Sequence, residues 1–423
     1  MRETKTIMPA AFNVERLLAP RQAVVAFLSR AELKAPGVEE VPLDLAFDRI
    51  LAADAIARRD HPAHPRSTMD GFAVAAKSGR AARRITGAVL MGHAPPGSIG
   101  PFEAMRIPTG GVVPDGADAV VPAEDAVETG GSIVPGYDPA PGEFVTPRGS
   151  DVPDGERVLL AGRRIGPAEL GVLAALGVAR VSVFRRPRIA LITTGDELVE
   201  PGAEPRTGQV RDSNRFAIGG SLRALGCDVV PAGPIADEPA MLRSAIELAL
   251  GSCDGVVLSG GSSVGERDLV PRIVAGLGEP GVIVHGLRVK PGKPTMLAAI
   301  GGKPVLGLPG NPTSALMMLE AVGSAAIAAV TGETPGLRRS VTAVASEPFL
   351  GREGWTWYMP VHLEPSGDRL SAAPLRLHSA HVALLARAHG YAVVGEQRFR
   401  IEPGETVEVF AFGSGGPPIG DRR

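Results

Sequence analysis

The sequence predicts a multidomain chain that joins a mostly parallel α/β unit to two β-rich units and a helical N-terminal part. Between 187 and 332, short apolar runs alternate with helical patterns, as parallel strands joined by crossover helices do. Between 67 and 146, and again between 338 and 411, short β-like runs alternate with turn residues. The 423 residues also exceed a single core, since roughly 150 residues per domain suggests about three domains.

Composition narrows the class. Apolar residues make up 44% and charged residues 21%, enough for real cores. A net charge of −2 removes the broad attraction to polyanions, so no nucleic-acid partner is expected. Only Cys227 and Cys253 are present, which excludes a disulfide framework or a CxxC metal cluster and points to the reducing cytoplasm. The N-terminus has no apolar targeting core. The apolar stretch 315–330 is interrupted by Glu320 and Ser324 and falls short of the roughly 18 residues a membrane span needs. It reads as a buried helix, and no membrane partner is expected.

The elements follow in order. Residues 14–58 read as helices: Ala23, Val24, Phe27 and Leu28, then Leu43, Ala46, Ile50 and Leu51, fall at helical spacing. The break at 59–66 holds His61 and His64, but its two prolines make it a loop rather than a metal site. In 59–146 the β-like runs are Gly71-Phe-Ala-Val74, Ala119-Val-Val121 and Ser132-Ile-Val134. Residues 147–183 turn helical around 167–176. If 14–58 and 147–183 form one unit, the β-rich segment is an insertion in it. Within 187–333, strands are expected at 188–193, 228–231, 255–258, 282–289, 296–298 and 305–308. Helices are expected at 213–225, 239–250 and 269–277. Asn311 and Pro312 open a further long apolar helix, Asn as N-cap and Pro at the first helical position. Residues 338–412 suit a small barrel or sandwich, and 413–423 is a Gly/Pro-rich tail.

Ligands of open α/β sheets bind beyond the carboxyl ends of the strands. Here those ends carry Thr193-Thr-Gly-Asp-Glu-Leu198, Ala236-Asp237, Ser259-Gly-Gly-Ser-Ser-Val-Gly-Glu-Arg-Asp268, Lys290-Pro-Gly-Lys-Pro294 and Pro309-Gly-Asn-Pro-Thr-Ser-Ala315. In a parallel sheet they converge on one rim. Carboxylates, two lysines and glycine turns would then meet. Glycine turns and helix N-termini cradle phosphates, lysines add point charge, and carboxylates beside phosphates suit Mg²⁺. An anionic, phosphorylated ligand with a divalent metal is the expectation. The lysines are telling, because the chain has six of them against 38 arginines, yet two fall in this one turn.

Further clusters lie outside that block: Ser67-Thr-Met-Asp-Gly-Phe-Ala73, Thr109-Gly-Gly, Pro114-Asp-Gly-Ala-Asp-Ala-Val-Val121, Arg148-Gly-Ser-Asp151 and Gly208-Gln-Val-Arg-Asp-Ser-Asn214. With the rim motifs, and in this order, they resemble the molybdopterin molybdenumtransferase (MoeA) family, related to the gephyrin E domain. The likeness runs from about residue 14 to 411.

The resemblance implies an enzyme that inserts molybdenum from molybdate into adenylylated molybdopterin with Mg²⁺ and releases AMP, the final common step of molybdenum cofactor synthesis. It implies a helical domain I, an inserted β-rich domain II, an α/β molybdopterin-binding domain III and a C-terminal β-barrel domain IV. It also implies a homodimer whose cleft is shared between subunits, and transient contact with the molybdopterin adenylyltransferase that supplies the substrate. The family's functional positions fall on Asp70, Thr109, Asp151, Glu197, Asp237, Asp268, Lys290 and Lys293. Its substrate-binding positions fall on Gly195, Asp196, Ser259, Gly260, Gly261, Ser263, Gly265, Pro309, Gly310, Asn311, Pro312, Ser314 and Ser379. Lys290, Lys293 and Ser314 are expected at molybdate. Glu197, Asp237 and Asp268 are expected at Mg²⁺ or the adenylate phosphates. Thr68 and Phe72 depart from the family's first cluster, and the segment 351–360, with Arg352, departs from its arginine pattern. A binding scaffold, a stand-alone adenylyltransferase and a tungsten-inserting paralogue are the alternatives.

Overall fold

The computed structural model describes residues 17–260, 269–334, 336, 339–375 and 381–412. Its central feature is a six-stranded sheet in the order Asp228–Ile235, Arg188–Thr194, Gly255–Ser259, Lys303–Leu308, Met296–Ile300, Pro280–His285. The first four strands are parallel, and Met296–Ile300 is antiparallel to both its neighbours. Alternation along a strand sends successive side chains to opposite faces. Ile189 and Leu191 accordingly join the core on one side, with Ile218, Leu222 and Met317, while Ala190 and Ile192 join Leu242, Ile246 and Val270 on the other.

The apolar run after Asn311 forms Pro312–Met318, a π-helical turn at Leu319–Gly323, and Ser324–Thr331. Because it starts at Pro312, it reaches 20 residues and is long and apolar enough to cross a membrane. The apolar window is nonetheless 89% buried inside the protein, so it serves as the central core helix.

The N-terminal part is not the run of helices its spacing predicts. Among the described residues there, only Pro20–Arg30 is an α-helix. Val38–Pro42 is a strand paired with Arg180–Phe184, and Leu43–Leu45 is a single 3₁₀ turn. Ile50 and Leu51 lie in extended bridges to Arg164 and Val183. Pro36, Gly37 and Pro42 break any helix, and β-branched Val38 and Val41 suit a strand. The apolar positions are satisfied by a partner strand about 140 residues away, which local spacing cannot reveal. The helix Pro20–Arg30 itself packs Ala23, Val24 and Phe27 into the α/β core, not against Val41 and Leu51.

From this base the chain runs outward through Ala55–Ile56 and Arg66–Ser67 and returns through their antiparallel partners, Val145–Thr146 and Arg157–Leu159. At the far end stands a second six-stranded sheet, ordered Ala119–Pro122, Gly71–Val74, Glu103–Ile107, Arg83–Ala88, Ser132–Pro135, Ala126–Thr129. Gly71 is obligatory there, since a Cβ would lie 2.0 Å from the Val121 carbonyl oxygen. Phe72 is buried in this unit's core with the Arg106 guanidinium 5.3 Å from its ring centroid. A tyrosine hydroxyl at that position would need a buried partner.

Residues Ser340–Ala345, Thr356–Ser366, Arg369–Pro374, Gly390–Val394 and Thr406–Phe410 close into a barrel, because Thr356–Ser366 pairs with both Arg369–Pro374 and Gly390–Val394. The strand at Arg369–Pro374 has no strong apolar run and was not expected. The expected strand at 282–289 is also two elements. Its first ends at His285, and Val289–Lys290 instead adds to the barrel strand Thr356–Ser366.

Charge ties the N-terminal unit to the α/β unit. Arg164 meets Asp48 at 2.8 Å and Glu333 at 2.6 Å. Burial opposes its charge, but bonds to Glu333 and Asp48 outweigh that and hold its pKa above the ordinary arginine value.

Two outcomes follow from this packing. Phe27→Ala, at a side chain 1% exposed, lowers stability by about 3–5 kcal/mol, read as an earlier denaturant midpoint with the helix Pro20–Arg30 newly open to protease. Gly260→Ala puts a Cβ 2.0 Å from the Thr194 carbonyl oxygen at φ +104°, and the expected result is poor folding or a midpoint loss of at least about 2 kcal/mol. A Gly260→Ala protein as stable as the parent would contradict this close approach.

Candidate active site

The site forms where the parallel strands end. Strand Arg188–Thr194 finishes in two threonines whose side chains are buried and directed to neighbouring loops. The Thr193 hydroxyl donates to Asp212 Oδ2 at 2.6 Å, and the Thr194 hydroxyl donates to Asp237 Oδ1 at 2.6 Å. Asp196 Oδ1 accepts the Asp237 backbone N–H at 3.1 Å. Asp196 therefore shapes the turn that presents Asp237. Gly195 has φ +154°, and a Cβ on it would meet the Glu197 carboxylate within 2.9 Å, so Glu197 folds back over the glycine. Of the four carboxylates expected on the rim, Asp196, Glu197 and Asp237 thus lie at two adjacent strand ends, and the fourth, Asp268, lies outside the described residues.

The second half of the rim joins Ser259 and Gly260 to Pro309 and Gly310. Asn214 Nδ2 donates to Ser259 Oγ at 2.8 Å and to the Gly310 carbonyl at 2.7 Å. Ser259 Oγ donates to the Pro309 carbonyl at 3.3 Å. The Gly260 N–H goes to the Leu308 carbonyl at 3.4 Å. The glycines here were expected as anion donors. At Gly260 the N–H is already used inside the protein, and glycine is required because Thr194 approaches too closely for any side chain. Asn214 is 9% exposed, and its Oδ1 is buried without a hydrogen-bond partner among the described residues. Such an atom is rare in a finished fold.

Asn214, Asp212, Thr193 and Thr194 are the site residues that the sequence reading left unassigned. The Asp-Ser-Asn signal was visible in the quoted motif. Nothing local distinguished it from an ordinary helix start.

The lysine turn leaves the same side of the sheet at its far edge, joining the end of Pro280–His285, the strand farthest from Asp228–Ile235, to the start of Met296–Ile300. Gly292 has φ +104°, and a Cβ there would fall 2.1 Å from Met318 Cγ, which presses the turn against the core helix. The Thr295 hydroxyl closes it on the Gly292 carbonyl at 2.6 Å. Lys290 is exposed, with Nζ 4.1 Å from the Trp357 ring centroid, and Lys293 is half-buried. Asn311 stands at the N-cap of the core helix, Pro312 opens it, and Ser314 in its first turn is buried.

Asp70, Thr109 and Asp151 stand elsewhere. The Thr109 N–H donates to Asp70 Oδ1 at 2.6 Å. That bond, with the Thr109 hydroxyl, holds the Asp70 carboxyl below its usual range. Asp151 Oδ2 is 3.9 Å from His61 Nε2, at the base of the β-rich unit. None of the three belongs to a strand of the α/β sheet. Gly261, Ser263, Gly265, Asp268 and Ser379 lie outside the described residues. Arg352 lies over Trp355, 5.4 Å from its centroid. Both cysteines are buried, and burial pushes the Cys227 thiol up to about 12.

Among the described residues no three His, Cys, Asp or Glu side chains gather to hold a metal by themselves. Mg²⁺ needs no such cage, since it takes one or two carboxylates and completes its shell with water and phosphate oxygens. The all-oxygen donors Asp237 and Glu197 fit that open arrangement.

Comparison with known proteins bears on what this rim serves. Residues 18–177 match the family model described as MoeA N-terminal region (domain I and II). Residues 190–329 match the probable molybdopterin binding domain, and 342–412 the MoeA C-terminal region (domain IV). A Haemophilus influenzae protein named molybdopterin molybdenumtransferase is 30% identical over 389 residues, 88% of this chain and 94% of its own. A Nostoc sp. protein of the same name is 34% identical over 289 residues, 66% of either chain. The crystal structure of a molybdopterin biosynthesis MoeA protein from Pyrococcus horikosii aligns at TM-score 0.75 and 34% identity, covering 94% of this chain and 99% of that one. Motif order, architecture and these matches agree: the chain belongs to the MoeA family of molybdopterin molybdenumtransferases, transferases of molybdenum cofactor biosynthesis.

Proposed function

We propose that this chain transfers molybdenum from molybdate to adenylylated molybdopterin and releases AMP. The observation that carries the proposal is one side of the sheet, where the strand ends bearing Glu197 and Asp237, the Asn214 bridge to Gly310 and, at the far edge, the lysine turn all lie. The reaction brings a tetrahedral dianion to a substrate that is already anionic. The approach is unfavourable unless fixed positive charge screens it. Lys290 and Lys293 supply compact ammonium charge, and the N-terminus of the core helix at Pro312 adds its dipole. Ser314 offers a hydroxyl in the first turn of that helix. Asp237 is held by Thr194 and by the Asp196-braced turn, and its role in this proposal is on the phosphate side of the substrate. Mg²⁺, when bound by Asp237 and Glu197 together with substrate oxygens, would supply further charge for the separating phosphates. The dithiolene sulfurs that take up molybdenum belong to the substrate. The two buried thiols of the protein have no part in it.

The same reading gives Asp70, Thr109 and Asp151 their place. They sit on the β-rich unit and its base, and a homodimer would let them complete the partner's rim. Exposed Leu90, Met91 and Phe102 on that unit support an association surface. A cytoplasmic location and transient contact with the adenylyltransferase belong to this proposal.

The test is AMP release from adenylylated molybdopterin, followed with and without molybdate and with Mg²⁺ chelated. Release that depends on molybdate and falls on chelation is expected. Release indifferent to molybdate would sink the transferase reading. Lys293→Ala is expected to lower molybdate-dependent release by about tenfold to a hundredfold, with folding unchanged by circular dichroism. Full activity in that variant removes Lys293 from the mechanism.

A further inference from the structure

Lys290 belongs to the lysine turn but is paired to the barrel. Val289–Lys290 lies parallel to Thr356–Ser366 with Lys290 directly opposite Trp357. Residues opposite each other on adjacent strands project to the same face. Lys290 Nζ accordingly lies 4.1 Å from the centre of the Trp357 ring. The pairing is braced on both sides. The Thr356 N–H donates to the Arg288 carbonyl at 3.1 Å, and the Arg288 guanidinium meets Glu396 at 3.0 Å.

The ring is itself fixed. Trp357 packs against the barrel core beside Met359 and Val361, and its indole Nε1 is buried with no hydrogen-bond partner among the described residues. A buried indole N–H is normally given an acceptor. Here the orientation that orphans the N–H is the one that offers the ring face to Lys290. Lysine is a flexible stem with a point charge at its tip, and an aromatic face within about 6 Å attracts and confines that charge.

We propose that Trp357 is a positioning residue for oxyanion binding: its face holds the Lys290 ammonium at the mouth of the strand-end rim. The barrel thereby sets the affinity for molybdate through an aromatic platform, although its arginine pattern departs from the family's. The identity of the anion rests on the reading under Proposed function; the Lys290–Trp357 coupling does not.

Two measurements test it. The chain has two tryptophans, so Trp355→Phe leaves Trp357 as the sole indole emitter. Titrating that protein with sodium molybdate alone is expected to change the emission saturably, and adding Lys290→Met is expected to abolish the change. No change, or the same change in Lys290→Met, overturns the proposal. In AMP release, Trp357→Phe keeps a π face and should hold the half-saturating molybdate concentration within about twofold, while Trp357→Leu should raise it about tenfold with the maximal rate nearly unchanged. Equal values in Trp357→Leu and Trp357→Phe, whether both normal or both raised, would reduce the ring to packing and overturn the proposal. If AMP release in the parent ignores molybdate, the transferase reading fails on that result. The emission titration, which needs no turnover, still decides the coupling.

Discussion

The architecture depends on how closely three strand ends approach one another. Thr194, Gly260 and Gly310 end or follow neighbouring parallel strands. A Cβ on Gly260 would lie 2.0 Å from the Thr194 carbonyl oxygen, and one on Gly310 would lie 3.7 Å from Gly260 Cα. Glycine alone permits that approach on the Thr194 side. Its consequence is a rim narrow enough for one asparagine to reach both Ser259 and Gly310. The threonines at the end of the first strand then reach outward to Asp212 and Asp237. The carboxylates are thus held by short bonds to a rigid sheet rather than by a mobile loop. That is what a site must do when it separates like charges.

A second constraint joins the barrel to the sheet. Aromatic residues are only 4% of the chain, yet several gather at this junction. Tyr358 and Tyr391 meet edge to face at 6.0 Å, and Tyr391 stacks on Phe410 at 5.7 Å. All three are buried with the helices of the α/β core. Alternation along Thr356–Ser366 sends Tyr358 toward that core, while Trp357 and Met359 face the barrel. One strand therefore serves both interiors and carries the lysine turn on its edge. The small barrel fixes part of the rim as well as extending the chain.

The β-rich unit follows a different logic. It is reached and left through paired short strands, so its position is set by ladders of few hydrogen bonds and by ion pairs such as Arg148 with Asp60 at 2.6 Å. Its own sheet is well packed, with Val74, Ala104, Val121 and Ile133 fully buried.

The sequence by itself determined the parallel α/β unit, the order of the motifs, the strand-end loops and the family. Each of these is written in short-range pattern: apolar runs, helical spacing, glycine turns and quoted clusters such as Thr194-Gly-Asp-Glu-Leu198. Tertiary structure alone decided what depends on partners distant in the chain. Ile50 and Leu51 came to lie in extended bridges because Arg164 and Val183 lay alongside them, where local spacing favoured a helix. Lys290 came to rest on Trp357 because two separate strands met in one register. Glycine at 260 looked like an anion cradle in the sequence, but the carbonyl of Thr194 made it a packing requirement. The physical reason is common to all three. Hydrogen-bond partners and steric neighbours across a sheet are fixed by the fold's register, which no window of adjacent residues contains.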